Sequence, residues 1–132
     1  KKNIEKNRVI FAKKLSREKH IERLKLVDVA LDTRIYNGHT TTIDALQAGI
    51  PVVTKTGNHF ASRVSTSLLL SLGLGELCCK DLVSYKEKII ELCINDKSKK
   101  RVLEKLTAQN FEKIYSNESF AKNLEQTLMG IL

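Results

Sequence analysis

The chain contains 132 residues, of which 42% are hydrophobic and 29% are charged, which is the composition of a single folded domain and excludes a disordered chain. It contains no apolar run of about 18 residues, so a membrane-spanning helix is excluded. The formal net charge is +8, and residues 1–25 carry +7 of it, which indicates an anionic partner such as nucleic acid, acidic lipid or a phosphorylated small molecule.

The cysteines and the first residues indicate the cellular setting. Cys78, Cys79 and Cys93 form neither a disulfide framework nor, with the three histidines, a zinc-ligand spacing. We therefore expect reduced thiols, no bound metal and a cytoplasmic location. The chain begins with Lys1 rather than Met and has no signal-peptide core, so we expect it to be part of a longer protein.

The first half of the chain predicts alternating strands and helices. Three short apolar runs predict strands, at residues 8–11, 27–32 and 50–54. A helix over 17–26 follows Ser16 as its N-cap, and a helix over 40–48 ends at Gly49. A polar loop over 33–38 separates the second strand from the second helix.

The second half predicts one further strand and four helices. A helix over 59–72 ends at Gly73, and a short strand follows at 77–79. The last third is helical, with predicted helices over 81–95, 98–115 and 118–130. We expect two units, residues 1–96 and a helical tail over residues 97–132.

This alternation predicts an α/β fold, with a parallel sheet and helices on its faces. Sheets of this kind bind ligands beyond the carboxyl ends of their strands. The loop over 33–39 lies between a predicted strand and a predicted helix, so we expect the site there.

Residues at the start of the helix over 40–48 have the chemistry of an anion site. Gly38 allows a close turn, and His39, Thr40 and Thr41 then reach the first helical turn, where free N–H groups and hydroxyls suit a diphosphate. The alternative is a plain cap, since Thr41 and Asp44 are close to capping-box spacing. Asp44 suits either the two hydroxyls of a ribose or the helix dipole.

The helix over 17–26 brings further candidates to the same edge. His20 has a ring that suits stacking on a base, and Arg17 and Arg23 suit a base edge or a phosphate. The alternative for each of the three is a solvated surface group. No paired carboxylates, nucleophile elbow or Walker sequence is present, so no complete catalytic centre is predicted.

Four motifs occur in one order: LDT at 31–33, YNGHTT at 36–41, AGIPVVT at 48–54 and ASRV at 61–64. With RVIFAKKLSREKHIERLKL upstream, the chain resembles the carboxyl-terminal half of the catalytic region of the O-linked N-acetylglucosamine transferase and SPINDLY-like family, glycosyltransferase family 41. The resemblance extends over about residues 8–93. Gln47 departs from it, because the family usually has Trp there.

The resemblance implies a Rossmann-like, nucleotide-binding carboxyl-terminal lobe of a two-lobed GT-B glycosyltransferase. It implies inverting, metal-independent transfer of a sugar from a nucleotide diphosphate to Ser or Thr of an acceptor protein, with no cofactor. UDP-N-acetylglucosamine is the expected donor, and UDP-glucose and GDP-fucose stay open. We expect regions outside this chain to hold the acceptor protein, and the isolated chain to be inactive.

The resemblance also implies roles for individual residues. His39, Thr40 and Thr41, which follow Gly38 in the motif, would hold the diphosphate, and Asp44 would hold the ribose. His20 would stack on the uracil, and the remaining residues would lie at its edge or beside the nucleotide: the backbone of Leu15, with Arg17 and Arg23.

Two further expectations concern other partners. A nucleic-acid or polyanion-binding module over residues 1–25 is the alternative from another class, but seven aromatic residues and no Trp make nucleic acid the less favoured partner. An apolar stripe in the tail, which we expect to contact another surface or a second copy of the chain, comprises Phe120, Leu124, Leu128, Met129, Ile131 and Leu132.

Overall fold

A parallel three-stranded sheet forms the centre of the fold. The structure, a computed structural model, describes residues 4–107, 112 and 116–131. The strands are β1 (Ala30–Leu31), β2 (Val52–Lys55) and β3 (Cys78–Cys79), in the order β1-β2-β3. Both pairings are parallel, with Ala30 opposite Val52 and Thr54 opposite Cys78. The predicted α/β class with a parallel sheet is therefore confirmed.

Six α-helices and three short 3-10 turns surround this sheet in the described residues. The helices are α1 (Arg17–Leu24), α2 (Thr40–Gln47), α3 (Val64–Ser71), α4 (Leu82–Ile94), α5 (Asp96–Lys105) and α6 (Asn117–Met129). The 3-10 turns are Lys6–Arg8, Phe60–Ser62 and Gly75–Leu77. None of the helices in the part of the chain described here is long and apolar enough to cross a membrane.

Two glycines end the helices that precede β2 and β3. Gly49 has φ +78° and Gly73 has φ +69°, a left-handed conformation that L side chains rarely adopt. After Gly49 the amide of Ile50 donates to the carbonyl of Ala45 at 2.9 Å, and the corresponding bond after Gly73 is 2.8 Å. These bonds close both helices by the Schellman motif. After Gly49 the chain leads into β2, and after Gly73 it passes through a 3-10 turn into β3.

The core lies between the sheet and helices α2 to α5. β2 is the central strand, and Val52 and Val53 are both buried although they point to opposite faces. Leu69 from α3 and Leu77 before β3 have no exposed surface, and Val102 extends the cluster to α5.

The predicted strand over residues 8–11 is wrong. Lys6–Arg8 forms a 3-10 turn, and no ladder bond to β1 is formed in the described part of the chain. Ile10 and Phe11 are 87% and 92% exposed. An apolar run becomes a strand only if a neighbouring strand accepts and donates its backbone hydrogen bonds, and this run has no such neighbour.

The predicted single helix over 59–72 is interrupted. Phe60–Ser62 is a 3-10 turn, and α3 begins only after Arg63. The carbonyl of Ala61 accepts from the amide of Asn37 at 2.8 Å, and the carbonyl of Ser62 accepts from Gly57 at 2.9 Å. A continuous α-helix would need both carbonyls for its own i to i+4 bonds.

Several other boundaries moved by a few residues. β1 covers only the centre of the strand expected over 27–32, and α1 ends at Leu24. α5 begins at Asp96 because Asn95 caps it, accepting from the amide of Ser98 at 3.1 Å. It ends at Lys105, and residues 108–111 and 113–115 of the helix expected over 98–115 lie outside the described residues. The division at residue 96 stays a prediction.

Adjacent leucines on α3 offer a test of this core. Leu69 is fully buried and Leu70 is 59% exposed. Leu69→Ala should lower the free energy of unfolding by about 2–5 kcal/mol, because it removes buried methyl groups and leaves a cavity. Leu70→Ala should change it by less than about 1 kcal/mol. Urea unfolding followed by circular dichroism measures both, and equal losses would contradict the assigned face of α3.

Glu76 joins α5 to the turn before β3. Its carboxylate accepts from Lys105 Nζ at 2.7 Å and lies 3.8 Å from Arg101 Nη2. Burial on its own would raise the pKa of Glu76, but the hydrogen bond from Lys105, a bond from backbone, and the charges of Lys105 and Arg101 bring it below the usual 4.5.

This depressed pKa predicts a pH-dependent contribution to stability. A carboxyl group with a lowered folded-state pKa stabilises above its unfolded pKa and loses that effect as the pH falls through the folded value. Glu76→Gln should therefore cost about 1 kcal/mol or less at pH 7, and this difference should shrink below pH 4.5. Denaturant titrations of both proteins from pH 3 to 8 measure it, and a difference that grows in acid would exclude the ion pair as its source.

Candidate functional site

The carboxylate of Asp32 organises the loop after β1. Its Oδ1 accepts from the amide of Gly38 at 2.7 Å and from the amide of Thr33 at 2.9 Å. Its Oδ2 accepts from Thr54 Oγ1, on β2, at 2.6 Å. One side chain therefore closes the loop between β1 and α2 and attaches it to the neighbouring strand.

Gly38 lies where the loop enters α2, and no side chain fits there. Its carbonyl accepts from Thr42 Oγ1 at 2.8 Å and from Ser65 Oγ at 3.1 Å. A Cβ at this position would lie 2.6 Å from Thr41 Oγ1 and 2.7 Å from Thr42 Oγ1. The close turn expected of Gly38 is present, and its cause is this approach of hydroxyls rather than a positive φ.

The first turn of α2 carries no side-chain cap. His39 is the N-cap residue, with φ −101° and ψ −89°, and its side chain bonds no first-turn amide. Thr40 and Thr41 are exposed at this end. Asp44 is bonded to Arg17, so the capping-box alternative for Thr41 and Asp44 is wrong. The amides at the start of α2 therefore retain their capacity to bind an anion.

The ring of His39 is fixed by two aromatic neighbours. It stacks on Tyr36 with centroids 5.0 Å apart and an interplanar angle of 15°. The ring of Phe60 meets it edge-on at 6.3 Å. His39 Nε2 and Asn37 Oδ1 are the buried side-chain polar atoms without a hydrogen-bond partner in the described residues. Because an unpaired buried polar atom costs about 1–3 kcal/mol, these two atoms leave the loop less stable than a fully hydrogen-bonded one would be.

The two arginines of α1, Arg17 and Arg23, are held in two separate contacts. Arg23 Nη2 lies 3.0 Å from His20 Nδ1 and Nη1 donates to the carbonyl of Lys13 at 2.9 Å. A guanidinium has only donors, so His20 Nδ1 accepts and the ring carries its proton on Nε2. Arg17 Nη2 reaches Asp44 Oδ1 at 3.2 Å and Gln47 Oε1 at 3.4 Å.

A cavity of about 230 Å³ lies between α1, α2 and the carboxyl end of β1. It brings together three of the predicted residues, His20, Gly38 and Thr41. The other lining residues are Leu24, Ala30, Leu31, Asp32, Thr33, Thr42, Ala45 and Val52. The remaining predicted residues lie outside this lining, namely Leu15, Arg17, Arg23, His39, Thr40 and Asp44.

A larger groove of about 590 Å³ runs along α3. It is lined mainly by apolar side chains such as Phe60 and Leu68, with Arg63 as its charged residue, and it contains none of the predicted site residues. A third cavity, of about 360 Å³, is lined by Lys97, Ser98, Lys100, Arg101 and Glu104 and also contains none of them. We assign the site to the smallest of the three, because it joins predicted site residues to the carboxyl end of β1. In residues 4–107, 112 and 116–131 no group of three His, Cys, Asp or Glu side chains is placed to hold a metal ion.

The motifs at this site decide the family. The model of Glycosyl transferase family 41 matches residues 1–124. The chain belongs to glycosyl transferase family 41. The resemblance carried by LDT, YNGHTT, AGIPVVT and ASRV is therefore confirmed.

Curated relatives of this family 41 chain are named as sugar transferases. A probable UDP-N-acetylglucosamine–peptide N-acetylglucosaminyltransferase SEC of Arabidopsis thaliana is 34% identical over 126 residues, which are 94% of this chain and 13% of the relative. The UDP-N-acetylglucosamine–peptide N-acetylglucosaminyltransferase of Caenorhabditis elegans is 40% identical over 91 residues, 69% of this chain and 8% of the relative. The chain thus spans a small part of these relatives' length.

A solved structure of the same family has the same fold. A Thermobaculum terrenum O-GlcNAc transferase mutant superposes with a TM-score of 0.78 at 32% sequence identity. The match covers 86% of this chain and 22% of that chain. The sheet and helices described above therefore correspond to part of an O-GlcNAc transferase structure.

The structure adds residues that the sequence reasoning missed. Asp32, Thr42 and Ser65 hold the loop, and Tyr36 packs on His39. Tyr85 on α4 donates from its hydroxyl to the carbonyl of Asp32 at 2.9 Å. Asp32 lies within the LDT motif at the end of a strand, and this position could have indicated its role in the loop. Ser65 on α3 and Tyr85 on α4 are too distant in sequence for any local pattern to predict their contacts.

Substitution of Gly38 tests the geometry of this family 41 loop. Gly38→Ala should lower the free energy of unfolding by about 1–3 kcal/mol, because the new Cβ must displace two hydroxyls, of which Thr42 Oγ1 is itself hydrogen-bonded. Gly130→Ala is the matched control, since a Cβ there meets ordinary contacts of 3.5 Å. Thermal unfolding of both variants measures the effect, and a stable Gly38→Ala protein would contradict the close approach described here.

Proposed function

We propose that this chain binds the nucleotide part of a UDP-sugar, with UDP-N-acetylglucosamine as the donor, and contributes this site to transfer onto Ser or Thr of proteins. The observation that carries the proposal is the cavity in which His20 faces Gly38 and Thr41, beside an α2 N-terminus without a side-chain cap. Membership of family 41 and the names of the relatives support the donor class.

The diphosphate would lie at the start of α2. The free first-turn amides, the hydroxyls of Thr40 and Thr41 and the fixed ring of His39 present donors and a partial positive charge to it. As the bond to the sugar breaks, negative charge develops on the departing UDP. Donors that are already oriented stabilise that charge without reorganising, and no metal or cofactor is needed for this contribution.

The nucleoside would lie between α1 and α2. His20 would stack on the uracil, with the backbone of Leu15 and the side chains of Arg17 and Arg23 at its edge. Asp44 would accept the ribose hydroxyls. Because its carboxylate is paired with Arg17 and its side chain is only 10% exposed, the guanidinium must release or share it when the ribose binds.

We propose that the chain alone transfers no sugar. It spans 13% and 8% of the two relatives, and its described residues offer groups for the leaving diphosphate but no assembled acid–base pair. Acceptor binding would belong to regions of those relatives that this chain does not match. With three free thiols, a reducing cytoplasmic compartment remains our expectation.

Two alternatives follow from observations in the same region. UDP-glucose and GDP-fucose remain alternative donors, and the base pocket around His20 would distinguish them. A polyanion-binding module over residues 1–25 is favoured by the exposure of Lys13, Lys14 and Lys19.

The stripe on α6 is also exposed, with Phe120 at 69% and Met129 at 75%, and its association with a second copy remains a prediction. Leu132 lies outside the described residues.

Calorimetric titration with UDP tests the proposal, with GDP as the control nucleotide that carries a different base. UDP should bind more tightly than GDP, and Thr40→Ala should weaken UDP binding about tenfold, as expected for the loss of a hydrogen bond to a charged group. His20→Ala should weaken it by a similar factor, because base stacking is lost. Thr127→Ala on α6 is the matched control and should bind as the parent does.

Titration at two salt concentrations separates the polyanion alternative. UDP binding should depend weakly on salt, whereas a nucleic acid that contacts several lysines should lose affinity steeply. A Lys13→Ala/Lys14→Ala variant should lose only the second kind of binding. UDP affinity that is unchanged in both His20→Ala and Thr40→Ala would refute the assigned site.

A further inference from the structure

One hydrogen bond connects α4 to the loop that begins at the end of β1. Tyr85 Oη donates to the carbonyl of Asp32 at 2.9 Å, across 53 residues of sequence. Asp32 is also the residue whose carboxylate accepts the amides of Thr33 and Gly38. The hydroxyl of Tyr85 therefore contacts the residue on which the loop depends, but contacts none of the predicted site residues through any described bond.

The surroundings of Tyr85 fix the direction of its hydroxyl. Its ring is half-buried against the core, and it lies one residue after Ser84 in the first turn of α4. That turn is itself held by a reciprocal cap, in which Asp81 Oδ1 accepts from the amide of Ser84 at 2.8 Å. Burial, followed by the charges of Asp32 and Cys79, raises the pKa of Tyr85, so the hydroxyl keeps the proton that it donates.

The bond acts on both ends of Asp32. The carbonyl faces α4 and is held by Tyr85, while the carboxylate faces the loop and β2, where Thr54 also donates to it. The amide of Asp32 also donates to the carbonyl of Val53 at 3.1 Å, so β2 holds the other side of the residue. Without Tyr85 the Asp32 carbonyl would lose its side-chain donor, and the carboxylate that accepts from Gly38 would be held less firmly. Since Gly38 leads directly into His39 and Thr40, a change in the position of Gly38 would also move the first turn of α2.

We propose that Tyr85 is a positioning residue for the anion-binding turn: through Asp32 it sets the orientation of Gly38 and of the α2 N-terminus. Its importance for the ligand rests on the proposed function, whereas its effect on the loop does not. A purely structural role would stabilise α4 against the sheet without any selective effect on the loop.

Tyr85→Phe isolates the hydroxyl, because the ring and its packing are retained. The first measurement is amide hydrogen exchange by NMR without ligand. The Gly38 amide should exchange about fivefold faster in Tyr85→Phe than in the parent, the factor expected for the loss of one ordinary hydrogen bond. Ser84→Ala is the matched control, since it weakens the cap of α4 but leaves the bond to Asp32 in place.

Hydrogen exchange alone decides the positioning role. A Gly38 amide that exchanges equally fast in parent and Tyr85→Phe would overturn the proposal, as would equal acceleration in Tyr85→Phe and Ser84→Ala. Faster exchange at Gly38 in Tyr85→Phe only, with unchanged protection in α4, would support it.

UDP affinity then connects positioning to the ligand. Tyr85→Phe should bind UDP about fivefold more weakly than the parent, and Ser84→Ala should bind as the parent does. If the parent does not bind UDP, the proposed function fails for this chain and the exchange result still stands. If the parent binds UDP and Tyr85→Phe binds equally well, the link between positioning and the ligand is refuted, while the exchange result and the proposed function remain.

Discussion

The turn that leads into α2 depends on one carboxylate that is already satisfied by the protein. Asp32 accepts from two loop amides and from a β2 hydroxyl, so both of its carboxylate oxygens have donors within the protein. Charge-assisted bonds of this kind are about twice as strong as neutral ones. A neutral bond within the same loop adds to them, since Asn37 Nδ2 donates to the carbonyl of Thr33 at 3.0 Å. Because Gly38 is fixed in this way, its carbonyl can be shared by Thr42 and Ser65, and α3 is attached to the same point.

A fixed loop explains why an uncapped helix can be tolerated. Many helices begin with a side chain that accepts a hydrogen bond from an amide of the first turn. Here α4 and α5 follow that pattern through Asp81 and Asn95. α1, α2 and α3 have no such bond. In α2 the N-cap residue His39 is packed between Tyr36 and Phe60. The stability lost by leaving these amides and His39 Nε2 without partners is offset elsewhere, in the buried contacts of β2 and α3.

The sequence predicted the parts of this arrangement that are local. The two left-handed glycines, the order of strands and helices, and the approach of Gly38 to its neighbours all follow from spacing and residue type. The break before α3 does not, because it results from loop amides that take the carbonyls of Ala61 and Ser62. The exposed run at 8–11 fails for the same reason, since pairing is a tertiary property that an apolar pattern does not contain. At the site, the bonds from Tyr85 and Ser65 span 53 and 27 residues, and no periodicity marks them.

The ion pair between Arg17 and Asp44 shows how two sequence-derived roles interact in space. The resemblance assigns the guanidinium to the base edge and the carboxylate to the ribose, yet in this structure they bond each other. Arg17 is 66% exposed, so the pair is screened and inexpensive to open, whereas Asp44 is nearly buried and needs a partner at all times. Gln47, where the family usually has Trp, gives the guanidinium a second acceptor at 3.4 Å. A neutral amide fits this position, because it would hold Arg17 close to α2 if the carboxylate turned to a ribose under the proposed function, and it carries no charge that competes for the guanidinium.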